Sequence, residues 1–375
     1  MNLQSLATPC LVLDQGKMQA NIARMHARLA ELGVAFRPHL KTAKCPEVAR
    51  QMMTSPQGPA TVSTLREAEQ FFAAGVTDLL YAVGIAPAKL DQVASLRARG
   101  CDLKIILDHV DAARAVSEYC GQHGIEIPVL VEIDSDGHRS GIRPGSPALL
   151  EVAAALTNGA RLLGVMTHAG GSYECRSIPA IRAAAIAERD AVVFCAQALR
   201  AAGHAVEIVS VGSTPTATFA QDLTGVTEVR TGVFVFQDLV MAGLEVCALE
   251  DIAMSLLVTV IGHQAERNWV ITDGGWMAIS RDRGTAAQPV DQGYGVVCDF
   301  DGTPQPEFIV SGANQEHGIV ARRDGGPIDF SRFPIGARLR VLPNHACAMA
   351  AQHGEYHVVE GTPEVRATWQ RFGGW

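Results

Sequence analysis

The sequence predicts an α/β fold in which a (β/α)8 TIM barrel is followed by a C-terminal β domain. From residue 35 to residue 236, short β-rich runs alternate with amphipathic segments of helical length, the pattern of a parallel sheet with crossover helices. There are eight such runs, the number of strands that closes this kind of barrel. After about residue 245 helical periodicity ends, and β-rich runs are separated by Gly, Pro and Asp turns. A doubly wound open sheet is the alternative for the first part.

The predicted barrel strands are residues 35–41, 60–64, 78–83, 103–108, 127–134, 161–168, 207–212 and 228–236. Between them, segments such as 65–75 and 181–203 repeat apolar residues at helical spacing and end on a Gly that suits a C′ position. The later β-rich runs are 254–264, 268–275, 294–302, 306–313 and 337–345. TPCLVLD (8–14) is predicted to be a strand that joins them. The expected domains are therefore 15–245 for the barrel and 246–375, with strand 1–14, for the β domain.

Composition narrows the class of protein and its partners. Of 375 residues, 48% are hydrophobic and 19% charged, which is ordinary for an enzyme that acts on a small molecule. A formal net charge of −8 argues against a nucleic-acid partner. No apolar run approaches the roughly 18 residues of a membrane span, and the first sixteen residues lack Lys and Arg, so a cytoplasmic location is expected. The nine cysteines have no paired spacing and are expected to be reduced.

Polar residues lie where the predicted barrel strands end, and chemistry in this fold lies at those carboxyl ends. In strand order, these residues are Lys41, then Ser63 and Thr64, then Arg139, His168, the segment Gly212, Ser213 and Thr214, and finally Arg230 and Gly232. Taken alone, a Gly-Ser-Thr stretch is an ordinary turn. After the seventh strand, however, it offers hydroxyls and backbone N–H groups to a phosphate, and Gly232 allows close backbone approach.

A lysine that faces a phosphate cradle across a barrel mouth suits pyridoxal 5′-phosphate (PLP), which is held by its phosphate and bonded as an imine to the lysine. Lys41 ends the predicted strand, whereas Lys44 lies three residues into the loop. Lys41 is therefore predicted to be the catalytic Schiff-base residue and not a solvated surface lysine.

A second group of polar residues lies in LPNHACAMAAQH (342–353). On a strand, His345 and Cys347 would point to one face, where imidazole and thiolate could share a divalent metal. Two ligands are fewer than the three that catalytic zinc normally takes from protein, so a buried His and a buried Cys remain the alternative. ANQEHG (313–318) is another polar patch, which could orient a ligand or satisfy a turn.

Together these segments resemble the fold-type III, alanine-racemase-like PLP enzymes of the D-threonine aldolase and D-serine dehydratase family. The resemblance covers nearly the whole chain, through TPCLVLD, RPHLKTAK, DSDGHRSGI, THAGGSYE, VGSTPTA, TEVRTGVFVFQD, NQEHG and PNHAC. A finer likeness, in STLREAEQFFAAGVTDLLYAV, SRDRGTA and GANQEHGI, is to bacterial dehydratases of D-threo-3-hydroxyaspartate.

The resemblance implies roles for individual residues. Lys41 would hold PLP, Arg139 would lie near the ring O3′, and His168 would pack beside the pyridine ring. The phosphate would be held by Gly212, Ser213, Thr214 and the backbone of Gly232 and Val233. Arg230 aligns with the arginine that meets the pyridine nitrogen in alanine racemases, although aldolases of the family differ there.

The metal site maps to His345 and Cys347, for which zinc is the best match and manganese, cobalt or magnesium are alternatives. Supporting roles around substrate or metal would fall to Ser63, Thr64, Gln315, Glu316 and His317. A β-carboxylate of the substrate would be bound by Arg139, Arg281 or Arg283, with 280–286 as the loop to inspect.

Many aldolases of the family have His-x-Asp and an Asp before Glu-His-Gly, where this chain has Cys347 and Gln315. These departures favour the dehydratase branch: conversion of a D-3-hydroxy amino acid, first of all D-threo-3-hydroxyaspartate, to a 2-oxo acid and ammonia. Retro-aldol cleavage to glycine and an aldehyde is the alternative. A non-catalytic PLP carrier is a second alternative, although such carriers lack a β domain. Racemase activity is disfavoured because the opposite-face tyrosine base has no counterpart. The likeness suggests a homodimer or a monomer.

Overall fold

The computed structural model describes residues 2–375 as two compact units. The barrel unit is Met25–Gly232 with Gly373–Trp375, and the β unit is the chain up to Arg24 with Val233–Phe372. The first strand, β1 (Cys10–Asp14), lies in the β unit, and helix α1 (Gln15–Glu31) runs from one unit into the other.

Eight parallel strands form the sheet of the barrel unit: β2 (Ala35–Phe36), β3 (Ala60–Val62), β4 (Asp78–Gly84), β5 (Asp102–Leu107), β6 (Ile127–Ile133), β7 (Ala160–Thr167), β8 (Ile208–Val211) and β9 (Glu228–Val229). They pair in the order β2-β9-β8-β7-β6-β5-β4-β3. The outer members β2 and β3 meet through a parallel bridge between His39 and Thr61, where Leu40 N donates to Thr61 O at 2.9 Å. The sheet therefore closes on itself, and the predicted barrel is confirmed.

Helices connect successive strands, as parallel pairing requires. They are α2 (Pro46–Met52), α3 (Leu65–Ala73), α4 (Leu90–Ala98), α5 (Val110–His123), α6 (Ala148–Ala155), α7 (Ile178–Ala201) and α8 (Thr214–Phe219). Helix α7 illustrates why these segments are helical. Ser177 caps its first turn, and its buried residues recur every three or four positions.

Two predicted strands are shorter than expected. The regular ladder of β2 with β9 ends at Phe36 and Val229, although Arg37 N and His39 N still donate to Val229 O and Thr231 O. The end of the predicted strand 228–236 was wrong, since Val233–Val235 form a 3-10 helix. That run is apolar and buried throughout. Its sequence therefore has no alternation of polar and apolar residues that would distinguish a strand from a helix.

The β unit contains a nine-stranded sheet to which the N-terminal strand β1 contributes, as predicted. Its other strands are β10 (Met254–Gln264), β11 (Trp269–Thr272), β12 (Gly295–Cys298), β13 (Pro304–Ala313), β14 (Gly318–Arg322), β15 (Arg338–Pro343), β16 (Glu355–Val359) and β17 (Ala367–Gln370). The order is β11-β14-β13-β12-β15-β10-β1-β16-β17, and a further pairing of β10 with β11 closes the first six strands into an antiparallel barrel. Short helices α9 (Leu239–Gly243), α10 (Trp276–Ile279) and α11 (Ala346–Ala350) interrupt it. Sequence periodicity missed β14, β16, β17 and these helices.

Among residues 2–375, no helix combines the length and apolar character needed to cross a bilayer.

A network of ion pairs lies at the amino-terminal side of the barrel interior. Arg37 donates Nε to both carboxylate oxygens of Glu228, at 3.0 and 2.9 Å, and Nη1 to Asp78 at 2.7 Å. Burial disfavours the charged guanidinium, but the two carboxylates hold the pKa of Arg37 above its ordinary value. Because Arg37 and Glu228 are almost fully buried, neither charge has water as an alternative partner.

Replacing Arg37 with Leu is expected to destabilise the protein by about 3 to 5 kcal/mol, because Glu228 would be left as an uncompensated buried charge. Urea unfolding followed by circular dichroism measures the loss. Arg161 is the matched control, since it also bridges two carboxylates, Glu126 and Glu207, but at the exposed end of β7. Arg161→Leu is expected to cost less than about 1 kcal/mol. Equal losses in the two variants would contradict the argument.

Candidate functional site

Lys41 lies just beyond β2, among the residues expected to surround a cofactor. Burial lowers the pKa of the neighbouring His39 well below its ordinary value, and the positive charges of Lys41 and Arg230, with His168 and Arg139, lower it further. Those four residues come from the ends of four different strands, and the barrel brings all of them around one imidazole. His39 was not predicted as a site residue, although it precedes Lys41 by only two positions.

The structure distinguishes the two lysines of the RPHLKTAK segment. Lys44 Nζ forms an ion pair of 3.1 Å with Glu67, whose side chain is fully buried. Lys41 Nζ has no hydrogen-bond or ion-pair partner within residues 2–375, and the residue is half-buried. The amine of Lys41 is therefore the one available for covalent chemistry.

Ser63 and Thr64 follow β3. The Thr64 hydroxyl accepts from Glu67 N at 3.0 Å and caps α3, so it is occupied by the fold. Ser63 Oγ lies 3.4 Å from His39 Nε2, facing the same region as Lys41.

His168 has a defined protonation state. Its Nδ1 lies 2.7 Å from Gly212 O, and because a carbonyl only accepts, Nδ1 carries the proton. Burial lowers the pKa of His168 to about 3, against the opposing effect of that carbonyl and with help from the charges of Lys41 and Arg139. The ring is therefore neutral at physiological pH, with Nε2 as an acceptor.

The segment after β8 forms a cradle without side-chain obstruction. Gly212 has a φ of +148°, and a Cβ there would overlap the carbonyl oxygen of Arg230, so the backbone lies directly against β9. Ser213 Oγ is engaged with Ser172 Oγ at 2.8 Å and with Thr216 Oγ1 at 2.9 Å. Thr214 Oγ1, in contrast, is buried without a hydrogen-bond partner. An unpaired buried hydroxyl is costly, and it fits a site built to donate to a phosphate oxygen.

The cradle also reaches the last strand of the barrel. A Cβ on Gly232 would lie 3.1 Å from His39 O and 3.3 Å from Thr42 Oγ1, so a side chain there would crowd the segment that leads to Lys41. Val233 follows directly, and its side chain is buried.

Arg230 and Arg139 occupy different environments. Arg230 is buried and donates to Ser210 Oγ and to Thr167 O, both at 2.5 Å. Burial lowers the pKa of Arg230 to about 10, although Glu228 and Glu188 oppose this effect. Arg139 is about half exposed and lies 3.7 Å from Glu132, which leaves its guanidinium free to reorient.

Glu188 is a functional candidate that sequence reasoning missed. It is buried on α7, and its Oε1 accepts from Ala169 N and Gly212 N, both at 3.0 Å. One carboxylate thus ties together the loops that follow β7 and β8, next to His168. The sequence did contain a signal for Glu188. It is a Glu on the apolar face of α7, and a buried carboxylate almost always has a polar partner.

In the β unit, His345 and Cys347 contact each other, but not as residues of a strand. The strand assumption was wrong: β15 ends at Pro343, His345 is the N-cap of α11, and Cys347 lies within that helix. The Ala-rich sequence after His345 favours a helix. Burial lowers the pKa of His345, but Cys347, a hydrogen bond to Asp282 and the charge of Asp238 raise it to about 11.

Two carboxylates accompany this pair. Asp282 Oδ2 lies 2.7 Å from His345 Nδ1. Asp238 is buried, and its two oxygens accept from Met241 N and Ala346 N, both at 3.0 Å, which joins α9 to α11. Burial raises the pKa of Asp238.

Gln315, Glu316 and His317 are exposed in the turn between β13 and β14, which packs against Gly275. Within residues 2–375, no group of three or more His, Cys, Asp or Glu side chains is arranged to hold a metal. An imidazole and a thiolate side by side are a donor set that would suit zinc.

The two arginines of the 280–286 loop differ in availability. Arg283 pairs with Asp291 at 2.5 Å and lies over the Tyr294 ring. Arg281 is exposed and stacks on Trp276, with 4.0 Å between its guanidinium carbon and the ring centroid.

The chain matches known families and known proteins along most of its length. Residues 13–239 match the family model of the alanine racemase N-terminal domain, and residues 253–359 match a serine dehydratase domain model. The chain is 54% identical to D-threo-3-hydroxyaspartate dehydratase of Delftia sp. (strain HT23), over 100% of this chain and 99% of that protein. It is 29% identical to a D-serine dehydratase of Dictyostelium discoideum, over 97% of this chain and 96% of that protein.

Solved structures show the same relationship. The Delftia dehydratase superposes with a TM-score of 0.97 at 53% identity, covering 100% of both chains. A cysteine-to-alanine mutant of D-threo-3-hydroxyaspartate dehydratase in the metal-free form has a TM-score of 0.98, also at 53% identity over 100% of both chains. D-threonine aldolase from Filomicrobium marinum has a TM-score of 0.80 at 26% identity, covering 99% of this chain and 96% of the aldolase. The chain therefore belongs to the alanine-racemase-like family that includes the D-serine dehydratases and the D-threonine aldolases.

Proposed function

We propose that this protein is a PLP- and divalent-metal-dependent dehydratase that converts D-threo-3-hydroxyaspartate to oxaloacetate and ammonia. The observation that carries the proposal is the 54% identity to a dehydratase of that substrate over the entire length of both chains. The availability of Lys41, the cradle at Gly212 and Thr214, and the contact of His345 with Cys347 support it. D-Threonine and D-serine are further candidate substrates.

When bound, PLP would act as an electron sink for Cα and the metal as a Lewis acid for the 3-hydroxyl group. Lys41 would attach PLP covalently, and after the substrate amine has released it, Lys41 Nζ would accept the Cα proton. His168 would pack beside the pyridine ring as a neutral imidazole, because its Nδ1 proton is committed to Gly212 O. Overall, the Cα hydrogen and the 3-hydroxyl group would leave as water, and hydrolysis would then release the 2-oxo acid and ammonia.

The phosphate of PLP would be held by Thr214 Oγ1, by Ser213 and by the backbone at Gly212, Gly232 and Val233. Arg230 would provide positive charge toward the pyridine nitrogen, and Arg139 would lie near O3′. The metal would be held by His345 and Cys347, and the related mutant structure in the metal-free form supports metal dependence. Of the loop arginines, Arg281 suits the substrate β-carboxylate better, since Arg283 already has Asp291 as a partner.

Replacing Lys41 with Arg is expected to abolish the yellow absorbance of protein-bound PLP, because a guanidinium does not attach the aldehyde. Absorbance spectra, together with peptide mapping after borohydride reduction, test this assignment. Lys44→Arg is the matched control, since Arg retains the ion pair with buried Glu67. This control is expected to keep the absorbance and the label on residue 41. A label that persists in Lys41→Arg would contradict the assignment.

Replacing Thr214 with Val is expected to weaken PLP binding roughly 10- to 100-fold, because a hydrogen bond to a charged group contributes about 1.5 to 3 kcal/mol. The measurement is rebinding of PLP to protein stripped of cofactor. Thr218→Val is the control: it lies on the same short helix, but its hydroxyl donates to Thr214 O. Unchanged affinity in Thr214→Val would remove this hydroxyl from the phosphate site.

Incubation with D-threo-3-hydroxyaspartate, D-threonine and D-serine, with and without EDTA, tests the reaction itself. Elimination predicts a 2-oxo acid and one ammonia per substrate consumed, with activity lost in EDTA and restored by added divalent metal. Glycine with an aldehyde would establish the aldolase reaction instead. Full activity in EDTA and in Cys347→Ala would overturn the metal role.

A further inference from the structure

The loop 280–288 connects to the proposed metal ligand His345 through one short hydrogen bond. Asp282 Oδ2 lies 2.7 Å from His345 Nδ1. An ionised carboxylate only accepts, so Nδ1 carries the proton and donates it. This leaves Nε2 as the nitrogen that can bind a metal.

The loop is held in place by the residue next to His345. Asn344 is buried, and its Oδ1 accepts from Thr285 N at 3.1 Å and from Thr285 Oγ1 at 2.6 Å. Its Nδ2 donates to Gly293 O at 2.7 Å. Thr285 Oγ1 in turn accepts from Gln292 N at 3.1 Å. Asn344 therefore ties the loop at Thr285, and the following segment at Gly293, to the backbone that carries His345.

The other nearby carboxylate cannot take this role. Both oxygens of Asp238 accept backbone N–H groups, from Met241 and from Ala346, and the side chain is buried. Asp282 instead directs one oxygen at the imidazole, and its side chain is 37% exposed. Its position is better explained by orientation of His345 than by support of the core.

We propose that Asp282 is a positioning residue of the metal site, which selects Nε2 of His345 as the ligand atom and orients the ring, while Asn344 and Thr285 brace the loop that delivers it. The inference rests on the proposed binding of metal by His345 and Cys347. Carboxylate partners of metal-bound histidines fix the tautomer and raise the basicity of the ligand, and their loss typically costs about 10- to 100-fold in metal affinity.

The test is the zinc affinity of the PLP-loaded enzyme without substrate, measured by competition with a chromogenic chelator. Asp282→Ala is expected to weaken zinc binding about 10- to 100-fold. Asp282→Asn is expected to lose less, because the amide oxygen still accepts the Nδ1 proton. Asp291→Asn is the matched control, a carboxylate of the same region that pairs with Arg283 and not with His345, and its affinity is expected to match wild type.

His345→Ala, measured in parallel, separates failure of this inference from failure of the proposed site. Loss of zinc in His345→Ala with wild-type affinity in Asp282→Ala would overturn the role of Asp282 alone. Equal and complete loss in both variants would make Asp282 a direct ligand and overturn its positioning role. Wild-type affinity in His345→Ala would overturn the metal site itself, and this inference with it. A positioning role also requires that excess zinc restore the activity of Asp282→Ala, which general misfolding would prevent.

Discussion

Closure of the parallel sheet at β2 is the constraint on which the proposed cofactor site of the barrel unit depends. Beyond the two-residue ladder, the segment 37–40 hydrogen-bonds on one side to the β9 segment and on the other to β3, through His39 N to Thr231 O and Leu40 N to Thr61 O. A Cβ at position 212 would overlap Arg230 O, and one at position 232 would crowd His39 O and Thr42 Oγ1, so glycines lie where the ends of neighbouring strands approach each other. Lys41 therefore emerges at a rim whose backbone geometry is fixed by pairing on both sides.

Charge inside the barrel is organised as a continuous chain of partners. Glu228 accepts from Arg37 and from Ser210, and Ser210 accepts in turn from Arg230. Each buried charge is thus satisfied, as the low dielectric interior requires. Burial, helped by these positive groups, lowers the pKa of His39 and His168, and the same groups favour anionic ligands such as phosphate and carboxylate. The same chain of hydrogen bonds and ion pairs thus holds the strands of the barrel together and makes its interior favourable for anions.

Each of the two units uses a carboxylate to orient other groups. Glu188 holds the backbone N–H groups of Ala169 and Gly212, and Asp282 holds the ring N–H of His345. Neither carboxylate is among the groups proposed to carry out the reaction. Such supporting hydrogen bonds hold the functional side chains in the geometry that catalysis requires. Their removal would let those side chains move, even though the side chains themselves were unchanged.

The sequence alone determined the alternation of strands and helices and the Gly-Ser-Thr segment after the seventh barrel strand, because these are local patterns of period and turn. It placed Lys41 at the end of the first barrel strand, whereas that strand ends at Phe36 and Lys41 lies in the turn that follows. The sequence did not predict the secondary structure of Val233–Val235, because this buried apolar run has no periodicity. It also predicted a strand at His345, where the structure has the N-cap of a helix. Only the tertiary structure decided the partners of Glu188 and Asp282, which lie 24 residues from Gly212 and 63 residues from His345. Contacts across such separations depend on how whole strands and loops pack, and no local spacing encodes them.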